Sequence, residues 1–513
     1  MLITTFGSTI IGIDAVTITI EVNWLLTGKS SQIVGLPDIA IKESFERIES
    51  TFKTNDFKFP RTKLIINLAP GDLRKTGTGF DLPIAIGILG ASGQIKNIEA
   101  LPRYLIMGEL SLNGSIRAIK GALSIAIKAK TEKFRGVILP LVNAREAALV
   151  EDIPIYGVTH IYEVIQFFES NETSISPFEE ESSVSTLKKL KEPMLDFADV
   201  KGQENIKRAF EIAAAGGHNL ILIGPPGAGK TMLAKRLPGI LPPLRKEEAL
   251  ETTKIYSVSG KLADFSSLLT ERPFRSPHHS ISAYALSGGG NIPQPGEISL
   301  SHNGVLFLDE LPEFSKVALE TLRQPMEERK VTIARTKQVV EYPCSFMLIA
   351  SMNPCPCGYL NHPEKECSCN PGLVHKYLNK ISGPLLDRID MHIQVSPVLF
   401  EELTNKSQSE SSSDIRKRVL AARKIQSGRF GSMQNVYANA QMGSSLLKKH
   451  CQLNNDSIQL LKKAMSSLQL SARAYERILK LSRTIADLNA VTEIQTEHIA
   501  EAIQYRSLDR EKW

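Results

Sequence analysis

Gly224-Pro225-Pro226-Gly227-Ala228-Gly229-Lys230-Thr231 decides the fold of this chain. An apolar run from Asn219 to Ile223 leads into it as a strand would, and Met232-Leu233-Ala234-Lys235-Arg236-Leu237 leaves it with helical character. The stretch fits G-x-x-x-x-G-K-[ST]. Its glycines let backbone N–H groups close on phosphate oxygens, its lysine reaches the terminal phosphates, and its hydroxyl reaches Mg²⁺. A Gly-rich turn alone says little, but strand, loop and helix in register make the pattern specific. Gly224 to Thr231 are therefore expected to bind ATP, with Lys230 on the phosphates and Thr231 on the metal.

Val305-Leu306-Phe307-Leu308 is a continuous apolar run of the kind found in strands buried on both faces of a parallel sheet. It ends in Asp309-Glu310. Asp309 is expected to hold Mg²⁺ and Glu310 to deprotonate the attacking water. A third strand, Phe346 to Ala350, runs into Ser351-Met352-Asn353, where a polar side chain can meet the terminal phosphate or the lytic water. Downstream, Arg388 lies in Gly383-Pro384-Leu385-Leu386-Asp387-Arg388-Ile389-Asp390, and Arg473 follows Leu470-Ser471-Ala472 at the head of a helix-like segment.

With these motifs the chain resembles the magnesium-chelatase-like branch of the AAA+ ATPases, specifically the ComM/YifB family. Matching stretches are Asp199-Val200-Lys201-Gly202-Gln203, Arg272-Pro273-Phe274-Arg275-Ser276-Pro277-His278-His279, Pro295-Gly296-Glu297-Ile298-Ser299-Leu300, Asn353-Pro354-Cys355-Pro356-Cys357-Gly358 and Leu470-Ser471-Ala472-Arg473-Ala474-Tyr475. The resemblance runs over nearly the whole chain. It implies an α/β P-loop core with an α-helical lid, Asn353 as sensor 1, Arg388 as an arginine finger toward a neighbouring subunit, and Arg473 as sensor 2. A finger acting on a neighbour requires an oligomer, and the family's ring is a homo-hexamer.

The chain has 513 residues, enough for more than one domain, with 42% apolar and 23% charged residues. No apolar run is long enough for a bilayer, and Met1 to Gly7 lack a basic, then apolar, leader. A cytoplasmic protein without membrane contact is expected, its six cysteines reduced or metal-bound. The net charge of +6 neither demands nor excludes nucleic acid, so local basic surfaces decide.

Residues 1–167 read as a mixed α/β unit, and 168–195, rich in Ser, Thr and Glu, as a flexible linker. The ATPase core is expected over 196–400, with a Cys-rich insertion at 355–369, and a helical lid over 401–513. The N-terminal unit resembles the Lon-protease domain, of the ribosomal S5 domain 2 type, through Arg74-Lys75-Thr76-Gly77 and Gly108-Glu109-Leu110-Ser111-Leu112-Asn113-Gly114-Ser115-Ile116. The resemblance places Gly79 where that family has its serine nucleophile and Leu123 where it has its lysine. Neither side chain can do that chemistry, so a non-proteolytic relative is expected.

Cys355-x-Cys357 and Cys367-x-Cys369 flank nine residues rich in turn formers. Two close thiolate pairs suit a closed, structural tetrahedral Zn²⁺ site, with His362 a substitute ligand; the alternative is four free thiols in an exposed loop. Two further segments are too Gly/Pro-rich or too β-rich to be helices: Ser287 to Gly296, and Arg329 to Val340. They resemble the family's helix-2 insertion and pre-sensor-1 hairpin. Arg335 and Lys337 would then line a channel and track a phosphate backbone, the other reading being a hairpin that merely stays soluble. The basic residues of Asp414 to Phe430 read first as a solvated amphipathic face and second as a nucleic-acid contact. The family resemblance implies an ATP-driven DNA motor working on single-stranded and branched DNA, a helicase promoting branch migration in recombination and natural transformation. The rival readings are a magnesium-chelatase motor subunit and a protein-remodelling ATPase.

Overall fold

The computed structural model describes residues 1–25, 27–28, 31–179, 195–262, 268–290, 293–335, 338–397, 409–431, 433 and 436–506. Lys337 and most of the expected linker lie outside these residues. Two compact units emerge, Met1–Lys188 with Lys246–Leu269, and Lys189–Arg245 with Thr270–Trp513.

The first unit is built on a seven-stranded sheet in the order Gln32–Val34, Leu64–Ala69, Asp14–Trp24, Leu2–Ile11, Tyr104–Ile106, Gly136–Pro140, Ile155–Val158. The long Leu2–Ile11 and Asp14–Trp24 hairpin is antiparallel, while the strands from Tyr104 onward run parallel to Leu2–Ile11 and to each other. Asp81–Ala91, apolar on every side after its first residue, is a wholly buried helix against that hairpin. A side chain on Gly79 would meet Met107 and Ile119, and Leu123 is fully buried among Leu105, Met107 and Ile119.

One segment differs from the sequence reading, which ran the ATPase core unbroken through 196–400. The helix Lys246–Ser259 belongs to the first unit, lying on Ala122–Thr131. Lys254 pairs with Asp14 at 2.7 Å, and the Gly121 N–H donates to the Ser257 carbonyl at 3.3 Å. Nothing in the local pattern of this helix announces a partner more than a hundred residues upstream.

The second unit carries an all-parallel five-stranded sheet in the order Phe274–Arg275, Val305–Leu308, Met347–Met352, Leu220–Ile223, Met391–Gln394. Helices cover it, and Val305, Leu306, Phe307 and Leu308 are fully buried, as their unbroken apolar run requires. The helix after the phosphate loop stops at Ala234 and restarts at Leu237–Ile240, where Pro238 has no N–H to continue the earlier ladder and sits in the first turn of the new helix. Ser412–Phe430, Asn455–Leu468, Ala472–Leu488 and Thr496–Gln504 form the lid. Their buried residues recur at helical spacing, as in Ile478, Leu481, Ile485. The AAA+ architecture expected from the sequence is thus the one observed. No helix among the described residues is long and apolar enough to cross a membrane.

Candidate functional site

The phosphate loop leaves the C-terminal end of Leu220–Ile223, the strand flanked on both sides by parallel neighbours. Gly227 and Gly229 occupy left-handed backbone at φ 79° and 84°, which side chains resist, and a Cβ on Gly224 would overlap the Val395 carbonyl. The glycines are thus required by geometry. Lys230 heads the following helix, and its Nζ donates to the carbonyls of Gly224 (2.7 Å) and Pro225 (2.9 Å) and to Asn353 Oδ1 (3.0 Å). Partial burial pulls the Lys230 pKa down, opposed by Asp309 and Glu310. Three oxygen acceptors around one half-buried ammonium are the surroundings a phosphate can replace.

Thr231 Oγ1 donates to Asp309 Oδ2 at 2.7 Å, so the two expected Mg²⁺ ligands already face each other. Ser351 donates to the other oxygen of Asp309, and the Glu310 N–H reaches Ser351 Oγ at 3.3 Å. Glu310 itself sits in left-handed backbone, φ 54°, with its side chain exposed and its Oε2 3.5 Å from His279 Nδ1. The sequence pairs neither Ser351 with Asp309 nor His279 with Glu310. His279 stands in a stretch whose arginines prove structural: Arg275 grips Glu297 at 2.6 and 2.8 Å, and Arg272 donates to the Pro242 and Asn303 carbonyls.

Arg388 and Arg473 lie elsewhere. The Arg388 carbonyl accepts from Asn219, just before the strand whose far end carries the phosphate loop, a separation of about 13 Å for four extended residues. Its buried guanidinium donates to the Pro384 carbonyl at 2.6 Å and pairs with Glu327 at 2.6 Å. Arg473, half exposed, approaches the same Glu327 oxygen at 3.5 Å. Arg388 first, then Arg473 and Arg477, hold the Glu327 carboxyl below its ordinary range, against a smaller effect of burial. Asn353 meets Lys230, whereas Arg473 meets Arg388 on Glu327, the helix starting at Ala472 being anchored by Arg477 on buried Asp390.

The four cysteine sulfurs converge. Cys355 lies 3.3 Å from Cys357 and 3.7 Å from Cys367, Cys357 lies 3.6 Å from Cys367, and all four sulfurs fall within 4.8 Å of one another. None is in a disulfide. Around Zn²⁺ with Zn–S bonds of about 2.3 Å, tetrahedral sulfurs stand about 3.8 Å apart, and the three closest pairs here come near or just short of that spacing. His362 is not among them: its Nδ1 accepts the Glu364 and Lys365 N–H groups at 3.0 and 3.1 Å. Cys344 and Cys451 are buried and separate.

The two segments singled out as hairpins meet. Gly288–Gly289 pairs with Gln294–Pro295, and Lys330–Arg335 with Gln338–Pro343. The buried Tyr342 hydroxyl ties them by donating to the Pro293 carbonyl at 2.8 Å. On the surface Arg335 lies over the ring of Tyr284, 5.5 Å from its centroid, and Tyr284 is 66% exposed. Tyr284 was missed in sequence because it sits fifty residues from the basic turn. In Ser412–Phe430 several cations serve the fold: Arg418 pairs with Glu211 and Glu410, Arg423 donates to the Ala214 and Tyr437 carbonyls, and Arg429 grips Asp487. These three cations are therefore held by the fold rather than forming the solvated face read first from sequence.

Three family models match: "Magnesium chelatase, subunit ChlI" over residues 196–403, "Subunit ChlI of Mg-chelatase" over 20–143, and "Magnesium chelatase, subunit ChlI C-terminal" over 409–506. The chain is 43% identical over 503 residues to competence protein ComM of Haemophilus influenzae, covering 97% of this chain and 96% of that one. It is 42% identical over 506 residues to YifB of Salmonella typhimurium, covering 98% and 96%. A shorter likeness, 32% over 145 residues and 26% of each chain, joins it to Lon protease 2 of Bacillus subtilis.

Proposed function

Because the chain belongs to the ComM/YifB family of magnesium-chelatase-like AAA+ ATPases, we propose that it is a homo-hexameric, ATP-driven DNA motor that promotes branch migration in homologous recombination and natural transformation. Lys230 and the loop from Gly224 hold the phosphates of ATP, and Thr231 and Asp309 hold Mg²⁺. Glu310 serves as the base, with Asn353 at the γ-phosphate. Arg388 and Arg473, gathered on Glu327 at the opposite end of the strand, serve the neighbouring subunit's nucleotide. Four cysteines hold a structural Zn²⁺. The protein works in the cytoplasm.

The observation that carries the DNA reading is the joined pair of hairpins bearing Arg335 against exposed Tyr284. A cation beside an uncovered aromatic face suits a single strand, whose phosphates meet the guanidinium and whose bases stack on the ring. Repeated around a ring, the pair tracks a strand without reading its sequence. ATP turnover measured with single-stranded DNA, four-way junctions, porphyrin plus Mg²⁺, or an unfolded polypeptide tests this. Stimulation by DNA alone is expected. Stimulation by porphyrin or polypeptide instead moves the chelatase or remodelling reading forward and removes this one.

A further inference from the structure

Between Met352 and Pro371 the chain forms neither strand nor helix, so the shape of this stretch depends on what ties it together. Its ends are well anchored. Cys355 follows Asn353 by two residues, and Asn353 accepts from Lys230. Cys369 precedes the helix Pro371–Leu378, which Asn370 caps by accepting the Leu373 N–H at 2.8 Å and which buries Tyr377. An ion on the four sulfurs would therefore join the end of the sensor strand to the start of that helix.

The middle of the stretch bears on the nucleotide loop. Gly358, in left-handed backbone at φ 83°, lies so close to Pro226 that a Cβ would overlap its ring. Leu360 and His362 share a cleft with Gly224, Pro225 and Pro354. Pro226 is itself exposed, and Gly227 and Gly229 leave the loop free to rearrange. Gly358 thus abuts the most conformationally permissive part of the ATP site.

We propose that Cys355, Cys357, Cys367 and Cys369 hold one Zn²⁺ that presses Gly358 against Pro226, making the affinity of the phosphate loop for nucleotide dependent on zinc. The inference rests on the nucleotide-site and zinc readings above and adds a coupling between them. The ion has four protein sulfurs and no open position, so it takes no part in chemistry. It acts as a strut. Removing it frees a loop of about a dozen residues, and the phosphate loop loses its backing.

The test uses the full-length protein with two readouts, zinc per chain by elemental analysis and binding of a fluorescent ATP analogue by titration. Wild type is expected to carry one zinc and to bind the analogue. Cys369→Ser should lose the metal and bind the analogue about tenfold more weakly, about 1.4 kcal/mol. Gly358→Ala should keep its zinc and lose affinity alike, which separates the contact from any general misfolding. A zinc-free Cys369→Ser that binds as wild type overturns the coupling while leaving the nucleotide site intact. So does a Gly358→Ala that binds as wild type. Wild-type protein with no metal, or with iron, overturns the zinc reading, and wild type that ignores the analogue overturns the nucleotide reading.

Discussion

Replacing Arg388 with alanine separates a residue that acts on a neighbour's nucleotide from one that only holds its own subunit together. In the free chain its guanidinium donates to the Pro384 carbonyl and pairs with Glu327, whose side chain is nearly half exposed. Truncation removes a hydrogen bond of about 1 kcal/mol and a charge pair that solvent limits to about 1 kcal/mol, so folding should lose about 2 kcal/mol. An arginine that completes a phosphoryl-transfer site supplies about 10³–10⁵ in rate, or about 4–7 kcal/mol of barrier. ATP turnover by Arg388→Ala should therefore collapse while its urea midpoint moves modestly. Mixing sharpens the test. Lys230→Ala subunits lack a working phosphate loop but present the arginine, and Arg388→Ala subunits have the reverse. In a head-to-tail ring assembled at equal amounts, about one interface in four unites an intact loop with an intact arginine, so turnover should recover to about a quarter of wild type. No recovery on mixing, or near-normal turnover by Arg388→Ala alone, refutes action across the interface and leaves Arg388 a structural cation.

Tyr284→Ala should weaken binding of oligothymidylate by about 1–3 kcal/mol per stacked base, whereas Tyr284→Phe should bind as wild type; equal affinities in a fluorescence titration would remove the stacking platform. Arg335→Ala should reduce the slope of log affinity against log salt by about one per site engaged. Burial, and then Arg506, push the His392 imidazole down to about 3 from its ordinary 6.5. The unfolded chain therefore takes up this proton first, and stability falls as pH drops from about 6.5 toward about 3, by up to about 1.4 kcal/mol per unit. His392→Gln should flatten that part of the urea-midpoint profile, and parallel profiles would contradict the assignment. Restoring the protease dyad as Gly79→Ser with Leu123→Lys should yield no peptidase activity and cost about 3 kcal/mol or more, because an ammonium replaces a fully buried leucine. Cleavage of a fluorogenic peptide by that variant would show the site to be intact.

The parts of this molecule that could be read from sequence are those whose chemistry is local. Gly224 to Thr231 carry a phosphate loop in eight consecutive residues, and Val305 to Glu310 carry a buried strand and its carboxylates in six. The cysteines were legible for the same reason, two close pairs on one short loop, and their sulfurs do converge. What escaped is what the fold assembles from distant pieces. Glu327 gathers Arg388 from about 60 residues away and Arg473 from about 150, and no pattern around Glu327 marks it. His279 meets Glu310, and Arg335 meets Tyr284, only because strand order and a hairpin bridge set them side by side. The helix Lys246–Ser259 looks like any other segment of the core, yet its buried side, which mixes Ala249, Ile255 and Val258 with Thr252, Thr253 and Ser257, finds its partner in the N-terminal unit. Periodicity reports that a face must be buried, and says nothing of where.

ATP-dependent resolution of a mobile four-way DNA junction by the purified protein, with Glu310→Gln as control, tests the central claim most directly. The account predicts that wild type with Mg²⁺ and ATP separates the arms and that Glu310→Gln, still binding ATP, does not. Wild-type protein that hydrolyses ATP yet leaves the junction intact across a range of salt would contradict it.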